Sequence, residues 1–174
     1  MRRAGLIVAL GALLGLLGGS ATASPALADG RGGGWVFNAP ENFTVPAGFC
    51  PFAFQVTQPG LDKSYTKAIQ TPDGSLVFFT NGVRDFTFTN PANGESITTK
   101  DSGLSTQTLN PDGSFTAVQN GVGWVGIYGG LAAFGLPAVF VSSGKLTLTF
   151  DPNGNITSAS LNGHVSVDIC AALS

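Results

Sequence analysis

"SGKLTLTFDPNGNITSASLNG" (143–163) decides the fold class. Leu146, Leu148 and Phe150 fall on one side of an extended chain, and Thr147, Thr149 and Asp151 on the other. That is period two, the signature of a strand with one buried face, because successive side chains of a pleated chain point in opposite directions. Asp151-Pro152-Asn153-Gly154 then interrupts the run. Proline presets φ near about −65° for the second position of a turn, Asn accepts the third, and Gly takes the left-handed position that closes a type I turn with a bulge. The stretch reads as strand, corner, strand.

The same grammar recurs along the chain. "TPDGS" (71–75) and "NPDGS" (110–114) repeat the corner, and "NPANG" (90–94) varies it. Phe52, Phe54 and Val56 alternate with Ala53, Gln55 and Thr57. Arg84, Phe86 and Phe88 alternate with Asp85, Thr87 and Thr89, and Val165, Val167 and Ile169 with His164, Ser166 and Asp168. Asn81-Gly82, between "SLVFFT" and "VRDFTFT", has the composition of a two-residue hairpin. Asn162-Gly163 is either another turn or a bulge within one long last strand. No amphipathic helical period stands out beyond residue 28. The expectation is an all-β domain over 49–174, a single antiparallel meander closing into a barrel of about eight to ten strands, with a β-sandwich as the alternative.

The first residues follow different rules. Met1-Arg2-Arg3 is a short basic start, Leu6 to Leu17 is uncharged and apolar, and "SATASPALADG" (20–30) supplies small residues. These three parts make a secretory signal peptide over 1–28, cut after Ala28 or, alternatively, after Ala23. The apolar run is shorter than the ~20 residues a spanning helix needs, so no membrane anchor is expected after cleavage. Residues 29–48 read as an irregular lead-in, with "GRGGG" (30–34) followed by Pro40 and Pro46.

Beyond Ala28 the chain carries four Lys and two Arg against ten Asp and Glu, a net charge of about −4. With so few cations there is no basic stripe to neutralise phosphates, so nucleic acid is excluded as a partner. The only cysteines, Cys50 and Cys170, are expected to pair, as two cysteines of an exported chain usually do. The bridge would close a loop of about 120 residues and stabilise by ~4–5 kcal/mol on the chain-entropy model. From Gly113 to Gly144 there is no charge, and "VGWVGIYGGLAAFGLPAVFV" (122–141) has the length of a membrane helix. Its glycines and Pro137 argue instead for buried strand, Gly-rich loop, buried strand. The alternative is a loop around Leu131 to Leu136 that touches lipid or a partner.

No motif brings catalytic chemistry with it. "GVGWVG" (121–126) matches G-x-G-x-x-G in letters, yet a strand rather than a helix N-terminus follows, so it cannot receive a pyrophosphate. His164, Ser166 and Asp168 share one strand face about 7 Å apart, too far for a hydrogen-bonded triad. "DPNGN" opens like a calcium loop, but Ile156 stands where glycine is required and Asn162 where the bidentate acid belongs. One His and two bridged Cys leave no zinc set, so no metal and no cofactor is expected. Asp62, Asp85, Glu95 and Asp101 could converge as a carboxylate pair, although their spacing does not require it.

"AGFCPF" (47–52), "FTFTNPANGESIT" (86–98), "LNPDGSFTAVQNG" (109–121), "SGKLTLTFDPNGNITSASLNG" and "VDICAAL" (167–173) together resemble a family of small exported proteins from high-GC Gram-positive bacteria. The resemblance spans nearly all of the chain beyond the signal region. It implies an exported, disulfide-linked β domain, and it lends no catalytic residue.

Thirteen Phe against two Trp and two Tyr is the inventory of a core builder, since Phe has no polar tip to satisfy. In a barrel wide enough to leave a cavity, Phe54, Phe86, Phe88, Trp124, Tyr128, Phe134, Phe140 and Phe150 are the candidates to line an apolar pocket or an interaction segment. The functional expectation is a non-enzymatic, secreted binding or cell-envelope module for an apolar small molecule or a cell-surface component. The alternative is a lipocalin-like or cyclase-like barrel enzyme acting on an apolar small molecule, which would turn a charge such as Arg84 or Glu95 into the cavity.

Overall fold

The computed structural model describes residues 8–10, 34–60, 62–128 and 130–174. Apart from Val8–Leu10, the signal region and both cleavage positions lie outside the described residues. The strands are β1 (Val8–Leu10), β2 (Val36–Phe37), β3 (Phe43–Val45), β4 (Phe54–Thr57), β5 (Tyr65–Gln70), β6 (Leu76–Thr89), β7 (Ser96–Leu109), β8 (Phe115–Ile127), β9 (Val139–Phe150) and β10 (Ile156–Asp168), followed by one helical turn, α1 (Ile169–Ala172). All belong to one antiparallel sheet ordered β10-β9-β8-β7-β6-β4-β3, with β5 also on β6, β2 on β5 and β1 on β8.

The corners form as their chemistry dictates. In "TPDGS", "NPDGS" and "DPNGN" the first residue's N–H donates to the fifth residue's carbonyl at 2.9 Å, and the glycine N–H donates back to the first carbonyl at 2.9 Å. The glycines have φ of +88°, +86° and +83°. Each turn carboxylate also accepts hydrogen bonds from inside its own turn, Asp73 from Thr71 and Ser75, Asp112 from Ser114, and Asp151 from Asn153 and Asn155. These bonds hold all three acids below the usual carboxylate pKa.

Asn81-Gly82 is not a hairpin, which corrects the reading above. It lies mid-strand in β6, and Gly82 pairs with Gly103, Gly103 with Gly121, Gly121 with Gly144, and Gly144 with Gly163. Five glycines thus form an unbroken row across five long strands, each preceded by Asn or Ser, with φ from +117° to +152°. A Cβ at any of them would overlap a carbonyl oxygen of the adjacent chain segment, closer than real side chains approach. Only glycine occupies this backbone region without strain. The row is a crease that divides each long strand into two halves without shifting register.

The expected barrel does not close. The β7–β8 ladder runs from Leu109↔Phe115 to Ser102↔Val122 and stops one residue past the row. β7 continues on β6 to Ser96, whereas β8 continues on β9 to Gly126. The sheet therefore forks into two leaves, β3-β4-β6-β7 and β8-β9-β10, and its path ends at β10 and β3. An open, folded sheet lies nearer to the sandwich alternative. The freed edge of β8, Val125 to Ile127, is paired with Val8–Leu10.

Between the leaves sits a cluster of Phe54, Val56, Phe86 and Phe88 against Trp124, Val139 and Val141, closed by Ile169 and Leu173. Trp124 meets Phe86 and Phe88 edge-on at 5.9 and 5.4 Å. Such pairs add ~0.5–1.5 kcal/mol to the burial of the rings. A second cluster lies on the other face of β8 and β9 and draws on both sides of the crease: Ala117, Leu146, Leu148 and Phe150 with Val125, Ile127 and Phe140. Residues 122–141 are buried strand, loop and buried strand, with Leu131 buried and bridged to Leu136.

The chain's end is fastened in three ways. Cys170 in α1 is bonded to Cys50. Ile169, expected as the last strand residue, instead begins α1, whose N-cap Asp168 accepts from the Ala171 N–H. Asn90 and Asn93 of "NPANG" both donate to the Leu173 carbonyl, at 2.9 and 3.1 Å.

Candidate functional site

The wedge of the fork holds the buried charges of Arg84, Asp62 and Asp101. Arg84 on β6 and Asp101 on β7 are directly opposite across the ladder. Where β8 parts from β7, the Trp124 backbone N–H donates to Asp101 Oδ2 at 3.1 Å, replacing the ladder bond that the fork removes. Asp62 reaches the site from the segment before β5. Its Oδ1 accepts from the Ser64 N–H at 2.8 Å, and its Oδ2 lies 3.7 Å from Arg84 Nε, which also donates to Ser64 Oγ. Of the four carboxylates that sequence offered as convergent, Asp62 and Asp101 do come together around Arg84. Glu95 is exposed. Asp85 neighbours Arg84 in β6 and therefore points to the other face of the strand.

A cavity of about 70 Å³ opens at this point, lined by Arg84, Asp101, Ser64, Thr80, Ser105, Gln107, Gln119 and Trp124, and by glycines at 82, 103 and 123. Gly123 has to be glycine because the Gln119 amide occupies the space of its Cβ. Burial pushes the Asp101 carboxyl up to about 7, opposed by the Trp124 hydrogen bond and the Arg84 charge. Burial also lowers the Arg84 pKa, against the pull of Asp62, Asp101 and Glu41. Three of the lining residues each carry a buried polar atom with no hydrogen-bond partner: Asp101 Oδ1, Trp124 Nε1 and Ser105 Oγ.

The eight aromatic candidates do not share a pocket. Phe54, Phe86, Phe88 and Trp124 fill the core between the leaves, and Phe140 and Phe150 fill the second cluster. Tyr128 and Phe134 are 52% and 37% exposed on the connection between β8 and β9. Only Trp124 also reaches the cavity wall. Sequence reasoning missed Ser105, Gln107 and Gln119. β7 is polar on both faces, so "TTKDSGLSTQTL" (98–109) gives no alternation to mark an inward side.

Among the described residues no group of His, Cys, Asp and Glu could hold a metal ion, and no helix is long and apolar enough to cross a membrane. No family model matches the chain, nor does any curated protein or solved structure.

Proposed function

We propose that the protein is an exported, disulfide-stapled β module that works by binding, and that its ligand enters the fork between β7 and β8. The observation that carries this reading is a cavity at the fork whose lining residues Asp101, Trp124 and Ser105 each carry a buried polar atom without a hydrogen-bond partner. Leaving such a group unsatisfied costs about 1–3 kcal/mol, and native interiors rarely tolerate several together. A ligand or ordered water that supplies the missing partners recovers that loss. Export is supported by the signal-like start, by the Cys50–Cys170 bridge, which suits an oxidising compartment, and by the resemblance to exported Gram-positive proteins. A cell-surface component is the natural source of the ligand for such a chain.

Native mass spectrometry of protein purified from its producer's medium tests both halves. The expected species begins at Asp29, or at Ser24, is two hydrogens lighter than the reduced chain, and carries a non-covalent adduct that Ser105→Ala sheds. A secreted chain that retains Met1 or has free thiols overturns the export reading.

A second reading has its own observation. Asp101, titrating near neutrality beside Arg84, has the makings of a general acid or base. Arg84 is one of the two charges that the barrel-enzyme alternative would turn inward. A turnover assay on the bound compound separates the readings, because catalysis through Asp101 would disappear in Asp101→Asn while binding survived.

A further inference from the structure

Past the cavity, the same edge of β8 continues into a site of another kind. Successive backbone N–H groups of an extended strand point to opposite edges. The Ile127 N–H donates to the Ala138 carbonyl on the β9 side, and the Trp124 N–H points the other way, to Asp101. The Gly126 N–H and carbonyl therefore face the fork, where Ala9 of β1 stands directly opposite. Among the described residues β1 is the only strand paired with this stretch of the edge. A cut after Ala28 or Ala23 removes that strand and leaves the edge open. The acceptor itself keeps its shape, because Val125 and Ile127 pack in the second core cluster and β9 pairs the other edge of β8. Edge strands are commonly protected from foreign strands by charge or proline. Residues 113–136 contain neither, and the segment that occupies the edge in the full chain reads Val-Ala-Leu.

We infer that residues 125–127 form a strand-acceptor site that, in the exported protein, takes an uncharged extended segment of another protein, antiparallel to β8. The inference rests on the export reading and adds a class of partner to it. Main-chain hydrogen bonds at Gly126 hold the segment, as in other β-strand additions. The test uses protein secreted by its producer, with the first residue read by mass spectrometry. The probe is a synthetic peptide of residues 5–13 with a C-terminal lysine tag for solubility. Two further peptides are N-methylated, one at Ala9, whose N–H faces Gly126, the other at Leu10, whose N–H faces away. Amide signals and their hydrogen exchange are followed by ¹H–¹⁵N spectroscopy.

The parent peptide should shift the signals of residues 125–127 saturably and slow exchange of the Gly126 amide by about tenfold or more. Methylation at Ala9 should weaken binding by about tenfold, the loss of one ladder bond, and methylation at Leu10 should leave it within about twofold. Equal binding of all three peptides means apolar adsorption and overturns strand addition. So does a Gly126 amide already protected without peptide in a protein that begins at Asp29 or Ser24, whether a second copy or the chain itself has sealed the edge. No response to any peptide in such a protein overturns the site and leaves the export reading intact. A secreted chain that retains Met1 overturns the export reading, and this inference with it.

Discussion

Substituting Gly103 tests the crease most directly. Its φ is +140°, and a Cβ there would overlap the Asn120 carbonyl oxygen and press on Gly121 Cα. Holding an L-residue in this region costs about 1–3 kcal/mol. Relieving the overlap requires β7 and β8 to move apart in a packed sheet, which adds about 1–3 kcal/mol. Gly103→Ala should therefore destabilise by about 2–6 kcal/mol, a large share of the 5–15 kcal/mol typical of a domain. Gly94 is the internal control. It sits in the "NPANG" turn at φ +80° with nothing within 4 Å of its Cβ position, so Gly94→Ala carries backbone strain alone, about 1–2 kcal/mol. With a urea m-value of about 2 kcal/mol/M, the midpoint should fall by ~2 M for Gly103→Ala and by less than ~1 M for Gly94→Ala. Equal shifts for the two variants would refute the crease as an obligate glycine row.

Three further outcomes follow from other contacts. Replacing Cys50 and Cys170 with Ser frees a loop of 120 residues and should remove ~4–5 kcal/mol, read as a lower urea midpoint that matches the reduced wild type. Asp101 has its folded pKa raised from 3.8 to about 7, so the folded state holds a proton that the unfolded state has released between those values, and stability falls as pH rises from about 4 to about 7. The Asp101→Asn variant should lack this slope and gain stability over wild type at pH 8 by a few kcal/mol; a constant difference between pH 4.5 and 8 would contradict the burial of that carboxyl. Asn90→Ala leaves the buried Leu173 carbonyl with one donor fewer and should cost about 1–3 kcal/mol, with faster amide exchange confined to α1 and the turn at 90–95.

How much of this was legible in the sequence depends on the range of the interaction. The corners at 71–75, 110–114 and 151–155 are set by four or five consecutive residues, so Pro, Asp or Asn, and Gly announce them wherever they occur. The alternating faces of β4, β9 and the second half of β6 are equally local. The Cys50–Cys170 pairing needed only the count of two. Asn81-Gly82 misled because the same dipeptide suits a tight hairpin and a creased strand. What separates the two is whether other glycines stand opposite, and that is decided by register between strands far apart in sequence. A trace of it is visible: [Asn/Ser]-Gly recurs at 81–82, 102–103, 120–121, 143–144 and 162–163, alternating with the turn glycines. Reading Asn81-Gly82 as a corner splits β6 in two and yields the extra short strands from which a closed barrel would be built.

The site was legible only in part, as the candidates Asp62, Asp101 and Arg84 but not as their meeting place, for a related reason. Asp101 and Arg84 are unremarkable members of polar alternating runs, and nothing near them in sequence says that β8 will leave β7 one residue past Gly121. Yet the glycine row and the cavity adjoin one another. The β7–β8 ladder ends at Ser102↔Val122, one residue past the row, and the Trp124 N–H beyond it donates to the Asp101 carboxylate. That carboxylate is buried beside Arg84, and glycines 82, 103 and 123 stand in the surrounding wall. A side chain at Gly103 would press on the Asn120 carbonyl and force β7 and β8 apart beside the cavity, so a position that the sheet requires to be glycine also borders the site.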